Sequence, residues 1–213
     1  MKVFDIKNIP IKIHFTLILC IFLLAGYGYN NSGMPGLVGG LVMVLILFSS
    51  VLLHELGHAM AARHFNIYTK DITLYPFGGI ARIDASSISS KEELWIAVAG
   101  PLTNVALMGV SIPLLYFNVM GSDLFFLINL MMAVFNMVPA YPMDGGRVLR
   151  ATLSLKLDRD RASMISIKIS KGLSILFILI SIYYNIISLF IIGIFLLIAT
   201  RPEEKAIRSR LAK

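Results

Sequence analysis

Cysteine is all but missing from this chain: Cys20 stands alone among 213 residues. A single cysteine excludes an intramolecular disulfide and any zinc site built on thiolates, and its place in an apolar run marks it as lipid-facing or as packing filler. Charge is scarce too, at 15% of residues, while hydrophobic residues reach 57% and mean hydropathy is +0.81. That balance excludes an ordinary soluble globule and indicates a polytopic α-helical membrane protein with room for one domain. Acidic residues are few, 12 against 19 Lys and Arg, for a net charge of +7. Where those cations lie decides what the excess means.

Six apolar stretches can be drawn, near 13–30, 37–64, 93–117, 123–138, 166–184 and 186–200, at about 20 residues per span with latitude for tilt and broken helices. Outer connections fall around Asn30–Met34, Asn118–Ser122 and Asn185, and none contains Lys or Arg. Lys2, Lys7 and Lys12 precede the first stretch, and Arg63, Lys70, Arg82 and Lys91 follow the second. Arg147 to Lys171 carry seven more cations, and Arg201 to Lys213 the last five. All 19 therefore fall on one side, which the positive-inside rule makes cytoplasmic, with both termini there. The charge reports topology and contact with the lipid bilayer, and excludes the need for a nucleic-acid partner. No small-x-small cleavage site follows the first stretch before Asn30-Asn31, so it reads as a retained helix.

The second stretch carries His54-Glu55-Leu56-Gly57-His58, the H-E-x-x-H pattern. On a helix both imidazoles project from one face and can hold a single Zn²⁺, with Glu55 beside them as general base. The pattern alone is weak, because it arises by chance in soluble helices. Its setting is informative: LVMVLILFSSVLL runs into it directly. An ionisable side chain deep in a bilayer costs roughly 2.5–3.5 kcal/mol on insertion scales, so such groups face a protein interior or a cavity and act there.

Ile67 to Ile83 differs in kind: β-branched and aromatic residues, broken by Pro76 and Gly78-Gly79, predict a short hairpin. It either lines a wet cavity at the site or is an ordinary cytoplasmic hairpin. Ala85 to Ser90 read as a polar connection, and Glu92 and Glu93 favour a helix N-terminus through its dipole. In the third stretch, Gly100-Pro101-Leu102-Thr103-Asn104 predicts close helix packing and a bend near something polar.

Asn136-Met137-Val138-Pro139-Ala140-Tyr141-Pro142-Met143-Asp144-Gly145 must end or unwind the fourth stretch, since two prolines three residues apart cannot share an undistorted helix. Two histidines on zinc need a third protein ligand and leave a position for water. Asp144 is the best-placed acid. Asp5, Asp71 and Asp84 fall in surface or hairpin settings, Asp123 at the outer face, and Asp158, Asp160, Glu203 and Glu204 in charged cytoplasmic segments. The competing role for Asp144 is a helix N-cap for the run that follows. Depth favours the ligand: His54 lies about 14 Å of helical rise before Arg63, and Asp144 lies three residues before Arg147.

Together these stretches, with Pro76-Phe77-Gly78-Gly79, resemble the site-2 protease family of intramembrane zinc metalloproteases, in its compact six-span archaeal and sporulation-type branch. The resemblance covers nearly the whole chain. It implies His54, His58 and Asp144 as ligands of one Zn²⁺, Glu55 as the catalytic base, and Asn136 as a residue that binds the substrate backbone or developing oxyanion. It also implies regulated proteolysis of transmembrane protein substrates in a prokaryotic cell membrane. The expected organisation is one integral-membrane metalloprotease domain over 1–213, without the PDZ insertion or CBS pair of some members. Substrate would pair, as an added strand, with a hairpin edge at Ile72–Tyr75.

Two other readings use the same residues: a membrane transporter or sensor that binds metal without hydrolysis, and a catalytically silent scaffold. A transporter would distribute acids or histidines over several spans, whereas the other histidines, His14 and His64, lie near cytoplasmic boundaries. A scaffold has no need of Glu55 or Asp144. The last two stretches either pack around the core or gate lateral access. The basic tail from Arg201 reads as lying at the inner leaflet, or else as a solvated end or a linker.

Overall fold

A computed structural model describes residues 2–76, 78–84 and 88–211. Phe77 of the predicted hairpin turn and residues 85–87 of the predicted polar connection lie outside them. In chain order the elements are β1 (Lys2–Ile6), β2 (Ile9–Ile13), α1 (Phe15–His64), β3 (Thr69–Tyr75), β4 (Gly78–Ile83), α2 (Ser90–Tyr116), α3 (Ser122–Asn136), α4 (Asp144–Leu153), α5 (Arg159–Tyr184), α6 (Ile187–Ala199) and α7 (Arg201–Leu211). Three of the helices, α1, α2 and α5, are long and apolar enough to cross a membrane. The chain forms two compact units, Met1–Ile88 with Ala99–Ala133, and Ser89–Val98 with Val134–Lys213.

In the first unit α1 is one helix in name only. Ser32 and Gly33 leave helical geometry, Gly33 at φ 61°, a conformation that suits a residue without a Cβ. Past that point the chain doubles back. A Cβ on Gly28 would overlap the carbonyl of Gly36, and Gly40 lies against the carbonyl of Leu24, so the two arms run antiparallel with glycines at their closest approach. The reversal falls inside the Asn30–Met34 connection. Large apolar side chains remain exposed along both arms, Phe22 and Leu45 each at 71%, a surface that suits lipid and not water.

The sheet has the order β1-β2-β3-β4, with β2 and β3 parallel and the other pairs antiparallel. Its β3–β4 half is the predicted hairpin. The β1–β2 half extends it, closed by a two-residue turn at Lys7-Asn8, both left-handed (φ 46° and 65°), the geometry that matches the twist of a tight hairpin. Ile9, Ile11, Ile72 and Leu74 bury one face of the sheet with Leu17, Val51 and Ala59 of α1. Each of these Ile, Leu and Val side chains contributes about 1.5–3 kcal/mol of burial.

One expectation is corrected here. Ile72–Tyr75 is not an edge: Ile11, Lys12 and Ile13 pair with Ile72, Thr73 and Leu74, so β3 is internal and the edges are β1 and β4. Asp71 lies in the hairpin, as expected, and is buried within the sheet. Its side chain is fully enclosed, taking Lys12 Nζ at 2.6 Å and Arg82 Nε at 2.6 Å, and so ties β2, β3 and β4 together. The Arg82 guanidinium, with Lys12, holds its carboxyl down at about 2 against the desolvation that opposes them.

In the second unit α2 starts from a capping box. Ser89 Oγ accepts from Glu92 N at 3.3 Å, and Glu92 Oε2 accepts from Ser89 N at 2.8 Å. Glu92 therefore acts at the helix start as expected. Glu93 turns inward to Arg150 and Arg159, while Arg150 also donates to Glu203 of α7 at 2.7 Å. The tail is thus a docked helix in this unit. Helices α5 and α6 fold back at Asn185, a left-handed C-cap, with Gly193 against the Ser174 carbonyl. Buried Ser166, Ser170 and Ser174 of α5 each return a hydroxyl to the carbonyl four residues back, so the polar stripe costs no unsatisfied donor.

Candidate metal centre

His54, Glu55 and His58 sit on the second arm of α1, one helical turn separating the histidines. Both imidazoles are 3% exposed, edge to face at 86°, with their Nε2 atoms 3.1 Å apart. Two ligands 2.0–2.1 Å from a tetrahedral zinc stand about 3.3 Å apart, so this pair already has the spacing that the ion requires.

Room for the pair comes from α2. A Cβ on Gly100 would overlap Nε2 of both His58 and His54, and a Cβ on Gly57 would strike Thr103 Oγ1 and the Ala99 carbonyl. The two helices cross where each lacks a side chain, which is the packing role expected of the Gly100–Asn104 stretch. Thr103 returns its hydroxyl to the Ala99 carbonyl at 2.9 Å, so no donor is stranded at the crossing.

Glu55 points the other way around the helix, to the sheet. Its Oε2 accepts from the backbone N–H of Ala81 at 3.0 Å, and Gly79 lets β4 lie against its stem. The Ala81 N–H is thus one that no neighbouring strand uses, as befits an edge. The hairpin therefore lies beside Glu55.

On the residue before Glu55, His54 Nδ1 meets Asn104 Oδ1 at 2.5 Å. Asn104 Nδ2 donates to Asn129 Oδ1 at 2.8 Å, and Asn129 Nδ2 donates to the Phe125 carbonyl at 2.8 Å and Ser50 Oγ at 3.1 Å. Asn104 was visible in the sequence as a polar residue at a bend. Asn129 was missed, although a lone amide in LFFLINLMMAVF is the kind of signal that marks an interior polar contact.

In the second unit α3 ends at Asn136, as the prolines dictate, and α4 begins at Asp144. Asp144 is buried at 8% exposure. The capping role fails: the N-cap is Met143, with no side-chain cap bond, and Asp144 is the first helical residue. Arg147 Nη1 lies 3.8 Å from its carboxylate. Gly145 and Gly146 pack against the backbone of Met137 to Tyr141 so closely that a Cβ on either would overlap it, and this fixes where α4 starts. Asn136 is half-buried at the end of α3.

The donor set suits zinc. Two buried imidazoles with facing nitrogens, a carboxylate-bearing helix start elsewhere in the chain, and no thiolate match a site of nitrogen and oxygen ligands. Comparison with known proteins agrees. The family model for peptidase family M50 matches residues 42–121 and 118–179, which hold both motifs. A zinc metalloprotease of Methanocaldococcus jannaschii is 34% identical, over 97% of this chain and 61% of its own length. Stage IV sporulation protein FB of Bacillus subtilis is 33% identical, over 63% of this chain and 48% of its own. The chain therefore spans about half to three fifths of the length of these curated relatives. Among solved structures, a site-2 protease from Methanocaldococcus jannaschii superimposes with a TM-score of 0.71 at 34% identity, covering 95% of this chain and 94% of that one. With H-E-x-x-H on an apolar helix, a glycine-made crossing over it and Asp144 opening a later helix, all within the matched span, the chain belongs to peptidase family M50.

Proposed function

We propose that this protein is an intramembrane zinc metalloendopeptidase that hydrolyses peptide bonds within or beside transmembrane segments of other membrane proteins. The observation that carries the reading is the buried His54–His58 pair with facing Nε2 atoms and Glu55 next to it, on an apolar helix of an M50 chain. His54, His58 and Asp144 would hold one Zn²⁺ in a single integral-membrane metalloprotease domain. When bound, zinc supplies a Lewis acid that brings the pKa of a water down to about 7 and polarises a peptide carbonyl.

Glu55 takes the proton of the attacking water and returns it to the departing amine. Asn136 is proposed to hold the substrate backbone or the developing oxyanion. A helical substrate hides its carbonyls in its own hydrogen bonds and must unwind before attack. An extended segment could then run along β4, whose Ala81 N–H is engaged by Glu55 and by no strand. The six-span reading, with cytoplasmic termini, is supported by the chain reversals near Ser32-Gly33 and Asn185 and by the one-sided placement of the cations.

The test is zinc content and cleavage of a membrane-spanning reporter, measured on detergent-purified protein. Wild type should carry near one zinc, Asp144→Ala should lose it under a mild chelator, and Glu55→Gln should keep it while cleavage falls by 10²-fold or more. Zinc retained in Asp144→Ala would remove that ligand, and cleavage surviving in Glu55→Gln would remove the base.

A further inference from the structure

We propose that Asn104 and Asn129 are positioning residues that hold His54 in its Nδ1–H tautomer, through a hydrogen-bond chain whose direction is set by the backbone carbonyl of Phe125. The proposal deepens the zinc-site reading and rests on it. Its members all belong to the first unit and come from three helices, with Ser50 and His54 on α1, Asn104 on α2, and Phe125 and Asn129 on α3.

The direction follows from what each atom can do. A carbonyl oxygen only accepts, so the Asn129 atom 2.8 Å from Phe125 O must be its NH₂ group. That leaves Asn129 Oδ1 facing Asn104, where it can only accept, so the Asn104 atom 2.8 Å away is also NH₂. Met132 Sδ, 3.8 Å from the same Asn104 nitrogen, is a second acceptor and orients the amide in the same sense. Asn104 Oδ1 is then the atom that faces His54 Nδ1, and it demands a proton there. A neutral imidazole carries one N–H, so Nε2 of His54 presents its lone pair toward His58, as a metal ligand must.

Burial makes the chain decisive. Ser50, Asn104 and Asn129 are fully enclosed and His54 nearly so, so bulk water cannot repair a reversed amide. Reversal would set oxygen against oxygen at Phe125, the arrangement that leaves buried acceptors unmet. Zinc-bound histidines commonly rest on a carboxylate or a backbone carbonyl. Here a neutral amide does that work in an apolar helix bundle, where a further charge would be costly. Ser50 Oγ, which accepts from Asn129 at 3.1 Å, completes the far end.

The experiment uses the full chain, purified in detergent, with two readouts. In zinc-free wild-type protein, ¹⁵N shifts of labelled histidine, assigned by comparison with His54→Gln, should give His54 as the Nδ1–H form. A wild-type Nε2–H form would overturn the proposal without any variant having to fold. Competition against a chromophoric chelator should give Asn104→Leu a zinc affinity 10- to 100-fold weaker, while Asn104→Asp, which keeps the acceptor toward His54 but loses the donor toward Asn129, falls between Asn104→Leu and wild type. A packing role would give the reverse, since leucine fills the space and a buried carboxylate does not, and that outcome would also overturn it. Asn129→Leu frees the Asn104 amide to turn, so His54 should become a mixture of tautomers; an unchanged spectrum would remove Asn129 from the chain. If wild type takes up no zinc, the metalloprotease reading fails, and the tautomer spectrum still decides this one.

Discussion

Gly100 is where a single missing atom decides the chemistry. A Cβ there would overlap both imidazole nitrogens, and overpacking of this kind costs about 1–3 kcal/mol when neighbours must shift. Gly100→Val is therefore expected to lower zinc occupancy severalfold in a protein that still folds, checked by metal content per chain beside circular dichroism. Asp71 governs a different property. Its carboxyl is held near 2, below the ordinary value of 3.8, so its contribution to stability is fully present above about pH 4 and is lost as pH falls toward 2. The shift corresponds to about 2 kcal/mol. Thermal unfolding of wild type against Asp71→Asn should separate the two proteins at pH 7 and bring them together near pH 2; equal stability at pH 7 would remove the ion pairs from the sheet's energetics. His54, Glu55 and His58 were legible in the sequence because four-residue spacing is a local rule of the helix. Asp71 was not, because its partners come from Lys12, 59 residues earlier, and from the next strand.

Among elements, β4 is the one that faces both ways, paired to β3 on one side and met by Glu55 on the other. Proline is tolerated on an edge strand whose N–H points outward. Ala81→Pro removes that N–H and blocks any strand laid beside it. It should cut reporter cleavage by about tenfold or more with zinc content unchanged, if the edge takes the substrate. Unaltered cleavage would detach β4 from substrate binding. The β3–β4 hairpin was readable because Pro76 and Gly78-Gly79 punctuate it. The β1–β2 hairpin was not: its Lys7-Asn8 turn lacks glycine, and its alternating residues merge into the first apolar stretch. Missing β2 is what made β3 look like an edge. The parallel pairing of Ile11 with Ile72 joins residues on opposite sides of a 50-residue helical segment, which no local pattern reports.

For the whole molecule, the cations predict that both termini and every charged connection share one side. An alkaline phosphatase reporter, active only outside the cytoplasm, should be silent after Lys213 and active when placed within Asn118–Ser122; the opposite pattern would invert the molecule. The reversal at Ser32-Gly33 also bears on biogenesis. On the proposed six-span reading, the two arms of α1, which fold back on one another, would enter the bilayer as a pair, and the second would bring His54, Glu55 and His58 with it. Asn104, against which His54 rests, is synthesised 50 residues later. On that reading the histidine-bearing arm would hold polar groups in lipid without their partner during that interval, and a ribosome-stalled chain ending before Ser90 should be extracted or degraded far more readily than one that includes α2.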